Sequence, residues 1–326
     1  QVTVGGETLS TDKFTTDNSW IAATVPGTVL TSFVNYGAIA NPNYADNMFG
    51  ISDAYFCSNF WYRRTFVIPQ EMRGQRVLLN FDGINWKADV WLNGKKIDRI
   101  EGAFTRSTVD ITPYINNGVN TMAVLIHKNA HPGSIKEKNH LNTDFNGGIL
   151  GADNPTFHAT TGWDWISTIR GRDIGIWNDV YLTSTASVTL SDPVVSTHLD
   201  NLPDTLACIT PRVIAHNWLN KDVSGTLKGW IGNLKFEKKL TLKAGEQCEV
   251  VFNPEQYPTL NDQRIRLWGP NGYGEPYLHE AGFEFVADDK QNTTTNARIG
   301  YKAGIREVRY ADAKTQLKLY VNGKRL

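Results

Sequence analysis

Apolar and polar residues alternate in short runs along most of this chain, and the runs stop at Pro, Gly or Asn. A two-residue period signals strands, because successive strand side chains point to opposite faces. The run 60–68, FWYRRTFVI, alternates and ends at Pro69, which cannot donate to a sheet ladder. The run 75–84, QRVLLNFDGI, reads as a buried strand, and 87–97, KADVWLNGKKI, as strand, Asn93-Gly94 turn, strand. An Asn-Gly pair between such runs is the strongest short-range hairpin signal. STVDITPYI followed by GVNTMAVLIHK (118–128) adds a turn and an apolar strand, while VPGTV (25–29) reads as a bent loop. Long runs with apolar residues every three or four positions are missing, so helix signals are poor throughout.

A second strand series starts near Ser187: SVTLSDPVVSTHLD, LACITPRVIAHNWL, SGTLKGWIG, FEKKLTLKAGEQCEVVF and EAGFEFVAD. Its spacing matches an immunoglobulin-like sandwich. A clean Cys…Trp…Cys pattern is missing, so the expectation is for the architecture alone. ADDKQNTTTNA then reads as a turn or linker, before GIREVRY and QLKLYVNGKRL. Leu317–Val321, Asn322-Gly323 and Lys324–Leu326 look like the first half of a hairpin, which suggests the front part of a longer enzyme.

Length and charge narrow the classes. At about 100–200 residues per domain, 326 residues imply two or three domains. With 33 basic and 33 acidic residues the net charge is zero, which gives no electrostatic case for nucleic acid or an anionic membrane as partner. No apolar run approaches the ~18–20 residues of a membrane span. No charged-then-apolar leader is present, although a mature amino terminus at Gln1 would favour a periplasmic or secreted protein. Cys57, Cys208 and Cys248 have no CxxC spacing and are odd in number, so neither a zinc site nor a full disulfide set is indicated. Cys208 and Cys248 would pair only from neighbouring strands. His127, His131, His140 and His158 lack ligand spacing; no metal and no cofactor is expected.

The aromatic content, 14 Phe, 12 Tyr and 10 Trp, suits β-sandwich cores and also sugar-stacking platforms. It concentrates in TTGWDWISTIRGRDIGIWNDVYL, residues 161–183. Two indoles, Trp163 and Trp165, flank the Asp164 carboxylate. One reading packs both indoles in the core and has Asp164 cap a turn. In the other, an indole stacks on a sugar while the carboxylate accepts hydrogen bonds from hydroxyls or an amine. Arg170, Arg172 and Asp173 read as a solvated salt-bridge cluster and Trp177 as a core residue opening a strand, while RLWGPNGYGEPYLHE (266–280) is rich enough for a site.

WIAATVPGTVLTSFVNYGAIANPNY, FWYRRTFVIP, LNFDGINWKADVWLNGKKI, VDITPYINNGVNTMAVLI, GWDW…GIWNDVYL, RLWGPNGYGEPYLHEAGFEF and GIREVRY…LYVNGKRL occur in this order. The series resembles the amino-terminal region of glycoside hydrolase family 2, and the resemblance covers nearly the whole chain. GRDIGIWNDV is similar to the exo-β-D-glucosaminidase branch, and GWDW is shared with β-mannosidases. The resemblance implies an all-β chain: a jelly-roll, galactose-binding-like sandwich over 1–186 and an immunoglobulin-like sandwich over 187–290. Residues 291–326 would form a linker and the start of a TIM barrel.

The resemblance further implies that Trp163, Asp164 and Trp165 help build the first sugar subsite. The partners would be a carbohydrate, a terminal β-linked hexose or hexosamine, and the chain's own TIM barrel. No catalytic residue is expected in this chain. Retention needs two carboxylates ~5–5.5 Å apart, and the family's glutamates would lie beyond Leu326. Glu307 in GIREVRY belongs instead to the segment that closes the sandwich, and the resemblance makes Trp268, Tyr273 and Tyr277 structural, in an ordered loop and strand of the immunoglobulin-like domain. A β-mannosidase, or a β-galactosidase- or β-glucuronidase-like member, is the alternative. A stand-alone carbohydrate-binding module is the alternative of another class, and a structural pair of β-domains leaves the Trp163–Trp165 segment unexplained.

Overall fold

In a computed structural model the structure describes residues 4–131, 171, 174–200, 206–289, 297–311 and 317–326. The chain divides into two compact units, Gln1–Ser184 and Thr185–Leu326. Both are built from strands, and the architecture is all-β.

The first unit packs the sheet β1-β6-β3-β4 with the sheet β5-β2-β7. The strands are β1 (Phe60–Val67), β2 (Arg76–Phe81), β3 (Lys87–Leu92), β4 (Lys95–Glu101), β5 (Ser107–Asp110), β6 (Val119–Ile126) and β7 (Val180–Thr185). Alternation decides what enters the core: Ala88, Val90 and Leu92 from β3, Met122, Val124 and Ile126 from β6, Val77, Leu79 and Phe81 from β2. The β3–β4 hairpin turns at Asn93 (φ 49°) and Gly94 (φ 82°), the left-handed pair that fits the twist of two antiparallel strands.

The opposite face of the larger sheet carries a smaller cluster, in which Leu9 of the one-turn helix α1 (Gly6–Leu9) packs on Trp91 and Ala123. Arg63 fastens this segment. Its guanidinium donates to the carbonyls of Leu9 at 2.9 Å and of Thr11 and Phe14 at 3.0 Å. A second helix, α2 (Val29–Tyr36), follows VPGTV. Thr28 caps it by accepting from the Thr31 amide, and Gly37 closes it at φ 83°. Val29 and Leu30 of α2 enter the core.

The second unit pairs β12-β9-β8 in one sheet and β11-β10-β13-β14 in another. These are β8 (Val188–Asp200), β9 (Leu206–Asn217), β10 (Val223–Ile231), β11 (Leu234–Leu242), β12 (Gln247–Val251), β13 (His279–Ala287) and β14 (Ala297–Ala303). Among the described residues, seven strands in two sheets form the expected immunoglobulin-like sandwich. Its centre is aromatic: Phe236 lies 4.7 Å from Phe252 and 6.0 Å from Phe283, between ring centroids. β14 pairs along β13, and Ala303 and Ile305 are core residues. The sheet therefore runs past residue 290, where the sequence reading ended it.

Cys208 and Cys248 are free. Their strands are neighbours, but Cys248 faces Ala215 and Cys208 faces His198. That offset along β9 is about 20 Å at ~3.3 Å per residue, far beyond disulfide reach. The C-terminal hairpin closes within the chain, as β15 (Val308–Ala311), β16 (Lys318–Val321) and β17 (Lys324–Arg325) form a three-stranded meander. Trp177 also departs from expectation. β7 starts only at Val180, and the half-buried Trp177 indole ties the preceding turn by donating to the Ala103 carbonyl at 3.0 Å.

Candidate functional site

Trp163, Asp164 and Trp165 lie outside the described residues, as do His140, His158, Arg170, Arg172 and Asp173. The two points between which this segment runs are described, and both sit at the start of β3. On the outgoing side the His127 amide donates to the Lys87 carbonyl at 2.9 Å, continuing the β3–β6 ladder by one step. The Lys128 amide then donates to Asn59 Oδ1 at 2.9 Å. On the returning side Asn85 and Gly175 exchange backbone hydrogen bonds of 2.9 and 3.2 Å. Ile174 and Ile176 insert into the core, and their carbonyls accept from the Val29 and Gly27 amides at 2.8 and 2.9 Å. Gly175 has φ 141°, and a Cβ there would come 3.0 Å from the Tyr62 hydroxyl and 3.1 Å from the Gly27 carbonyl oxygen. Only glycine meets both demands. Burial around this point raises the Tyr62 phenol to about 12, so it stays neutral.

A charged group fixes the outgoing side. Asp89, buried on the outer face of β3, meets Lys96 Nζ at 2.6 Å and His127 Nε2 at 2.8 Å. Burial alone would raise the Asp89 carboxyl, but Lys96 and His127 outweigh it and hold it below the usual carboxylate range. The carboxylate therefore stays charged and orients His127, the first residue after β6. No pattern along the chain marks this group, whose three polar residues sit in different runs.

Glu307 is buried, with Oε1 hydrogen-bonded and Oε2 in an ion pair. It accepts from His198 Nδ1 at 2.7 Å and the Leu199 amide at 3.3 Å, and pairs with Arg309 Nε at 2.6 Å. Burial pushes its carboxyl up, and Arg309, His198 and the Leu199 amide together bring it below the usual value. A carboxylate so placed clamps the segment before β15 onto β8, with Oε2 buried against Arg309. Asp200, Cys208 and Asp262 bring three donor atoms within 4.8 Å of one another. Burial raises the Cys208 thiol, and its single S–H has acceptors within reach at Asp200, 3.3 Å, and Asn261, 3.0 Å. A protonated, hydrogen-bonded thiol explains that grouping.

Residues 9–178 match the family model described as "Glycosyl hydrolase 2 galactose-binding domain-like". The chain belongs to glycoside hydrolase family 2. Among family 2 relatives, an exo-β-D-glucosaminidase of Streptomyces avermitilis is 29% identical over 314 residues, 95% of this chain and 31% of its own length. A mannosylglycoprotein endo-β-mannosidase of Lilium longiflorum is 30% identical over 337 residues, 95% of this chain and 33% of its own. The crystal structure of the Amycolatopsis orientalis exo-chitosanase shares the fold, with a TM-score of 0.73 at 24% identity, over 98% of this chain and 34% of that one. The chain thus spans about a third of the length of these family 2 relatives, and it corresponds to their amino-terminal, β-sandwich portion.

Proposed function

We propose that this chain is the non-catalytic front of a retaining, exo-acting β-glycoside hydrolase, with terminal β-D-glucosaminides as its first substrate class and β-mannosides as its second. The observation that carries the reading is family membership together with relatives named exo-β-D-glucosaminidase from three organisms. The second reading draws on relatives named as mannosidases. Two glutamates beyond Leu326 would act as nucleophile and acid/base, at the ~5–5.5 Å separation that retention requires. The front modules are 1–186 and a sandwich from 187; the pairing of β14 with β13 supports extending the latter to Ile305.

Within this reading Trp163, Asp164 and Trp165 form one wall of the first subsite. An indole stacks on the terminal pyranose, and Asp164 accepts from its hydroxyls or its amine. The rigid base at Asn85, Lys87 and Gly175 supports that role, since a binding segment needs fixed ends. The test is to express the longer protein and compare 4-nitrophenyl β-glucosaminide, β-mannoside, β-galactoside and β-glucuronide by kcat/KM. A preference for the glucosaminide is expected. Preference for the galactoside or glucuronide, or no turnover of any, would overturn the reading.

A further inference from the structure

On the outer face of the larger sheet of the second unit, one cross-strand row differs from its neighbours. Leu227 and Ile231 of β10 and Phe283 and Phe285 of β13 enter the core, so the residues between them point outward. By register Lys235, Trp230, Gly282 and Gly300 lie side by side across β11, β10, β13 and β14. The row on one side is Glu237, Lys228, Glu284 and Arg298. On the other side Glu280 stands opposite Lys302 and pairs with it at 3.6 Å. From Trp230 to Gly300 the middle row is uncharged, and at two strand spacings it is about 10 Å long.

Three features of this row point to a ligand. First, the half-buried Trp230 indole lies across β13: a Cβ on Gly282 would come within 2.2 Å of its six-membered ring. The Arg298 guanidinium stands 5.1 Å from the ring centroid, so the indole is held in place from two strands. Second, Gly300 is exposed and has no left-handed φ, and a Cβ there would meet only the Ala281 carbonyl oxygen, at 3.9 Å. The local fold does not require glycine at this position, and glycine weakens a strand. An aromatic laid over a glycine strengthens a sheet, which accounts for Trp230 on Gly282 and leaves Gly300 without a structural cause. Glycine inside a strand also marks close approach by a ligand. Third, the flanking charges interleave. Glu280 and Glu284 border the glycines and repel an anion, while Lys235, Arg298 and Lys302 repel a cation. What remains favoured is a neutral group that both donates and accepts hydrogen bonds, which describes a sugar hydroxyl.

We propose that this row binds the flat face of a neutral, β-1,4-linked oligosaccharide of all-equatorial pyranoses. Equatorial hydroxyls leave the ring faces apolar, and the β-1,4 link keeps successive rings in one extended ribbon, the shape a straight row without side-chain obstruction accepts. One pyranose stacks its C–H face on Trp230, and the next lies over Gly300. Their hydroxyls donate to Glu280 and Glu284 and accept from Arg298 and Lys302, as charge-assisted bonds. The proposal concerns the second unit alone and does not depend on the substrate of the longer protein.

The test is an NMR titration of the ¹⁵N-labelled 326-residue chain with cellotetraose, read at the Trp230 indole N–H and at the amides of residues 280–284 and 298–302. Maltotetraose, which is α-linked and curved, trigalacturonate and the glucosamine trimer serve as comparison ligands. Cellotetraose is expected to shift these signals saturably, to the same extent at low and high salt. The comparison ligands should bind about tenfold more weakly, as loss of one aromatic stack implies, and Trp230→Ala should weaken cellotetraose by a similar factor. Gly300→Thr is the decisive variant: it should abolish binding while raising the Tm by roughly 2–8 °C, because threonine suits a strand better than glycine. Should Trp230→Ala fail to fold, Gly300→Thr decides alone. A Gly300→Thr chain that binds cellotetraose as the native chain does, or that melts below it, would overturn the proposal. So would shifts confined to other residues, or maltotetraose, trigalacturonate or the glucosamine trimer binding as tightly as cellotetraose.

Discussion

Glu307→Gln should separate a structural clamp from an idle surface charge. The substitution keeps the shape of the side chain and removes its charge. In the native chain that charge faces Arg309 Nε at 2.6 Å and His198 Nδ1 at 2.7 Å, while the Leu199 amide donates from 3.3 Å. Gln keeps an acceptor oxygen for His198 and the Leu199 amide, which share Oε1, but the amide nitrogen that replaces Oε2 must face Arg309 Nε. A lost charged hydrogen bond costs about 1.5–3 kcal/mol, and breaking a fully buried pair would cost about 3–5 kcal/mol. Arg309 is half-exposed, at 50%, so water takes up part of its charge and the estimate falls to about 2 kcal/mol. For a unit of this size that is a drop in Tm of roughly 4–8 °C. The pH dependence has a definite sign. The folded Glu307 carboxyl is held below its ordinary value, so its stabilisation is present above the unfolded glutamate pKa and is lost as pH falls through the folded one. Urea unfolding of both proteins at neutral pH and at successively lower pH should therefore show a gap that closes on the acid side of about 4.3. A gap under about 0.5 kcal/mol at neutral pH, or one that persists unchanged in acid, would refute the clamp.

The remaining predictions address the candidate site. The purified 326-residue chain should not turn over aryl β-glucosaminides or β-mannosides above a tag-only control, because it lacks the expected pair of barrel glutamates. Asp164→Ala in the longer protein should cut kcat/KM by roughly 10–100-fold with little change in Tm, the signature of a charged hydrogen bond made to the transition state. A lower Tm with normal activity would instead place Asp164 in a structural role. Gly175→Ala should destabilise the first unit by about 2–4 kcal/mol, through the strained φ and the contact with the Gly27 carbonyl, and thermal melting followed by tryptophan fluorescence reads this directly.

The strands were legible because alternation and burial coincide. In β3 the inward Ala88, Val90 and Leu92 are separated by the polar or bulky Asp89 and Trp91, and the Asn93-Gly94 turn follows at once. α2 was not legible, because eight residues are too few to establish a helical period. Its signal lay in the caps, Thr28 before it and Gly37 after it, and a search for caps would have found it. β14 was hidden by the polar run ahead of it, although Ile299, Tyr301 and Ala303 alternate toward the core. The second sandwich lacked its expected Cys…Trp…Cys marker because Phe236, Phe252 and Phe283 fill its centre. Packing requires volume there, and three phenyl rings supply it without a disulfide.

The base of the tryptophan-rich segment could not be read from the sequence for a different reason. Alternation tells which face a residue occupies, but only strand register tells which residues meet on that face. Asp89 and His127 come together because Asp89 lies opposite Leu125, two residues before His127 on the same outer face, and Lys96 joins them because it lies opposite Trp91. The same register brings the Lys87 carbonyl to the His127 amide while Asn85 holds Gly175. One stretch of three residues thus receives both ends of a segment that begins and finishes more than forty positions apart in sequence. That stretch leads directly into β3, whose Ala88, Val90 and Leu92 are completely buried. The ends of the segment are therefore set by a strand whose inward side chains are completely buried. A substitution at Val90 that shifts β3 would move both ends at once, so damage to a site carried by Trp163, Asp164 and Trp165 would follow from a change in the core as well as from a change in the segment itself.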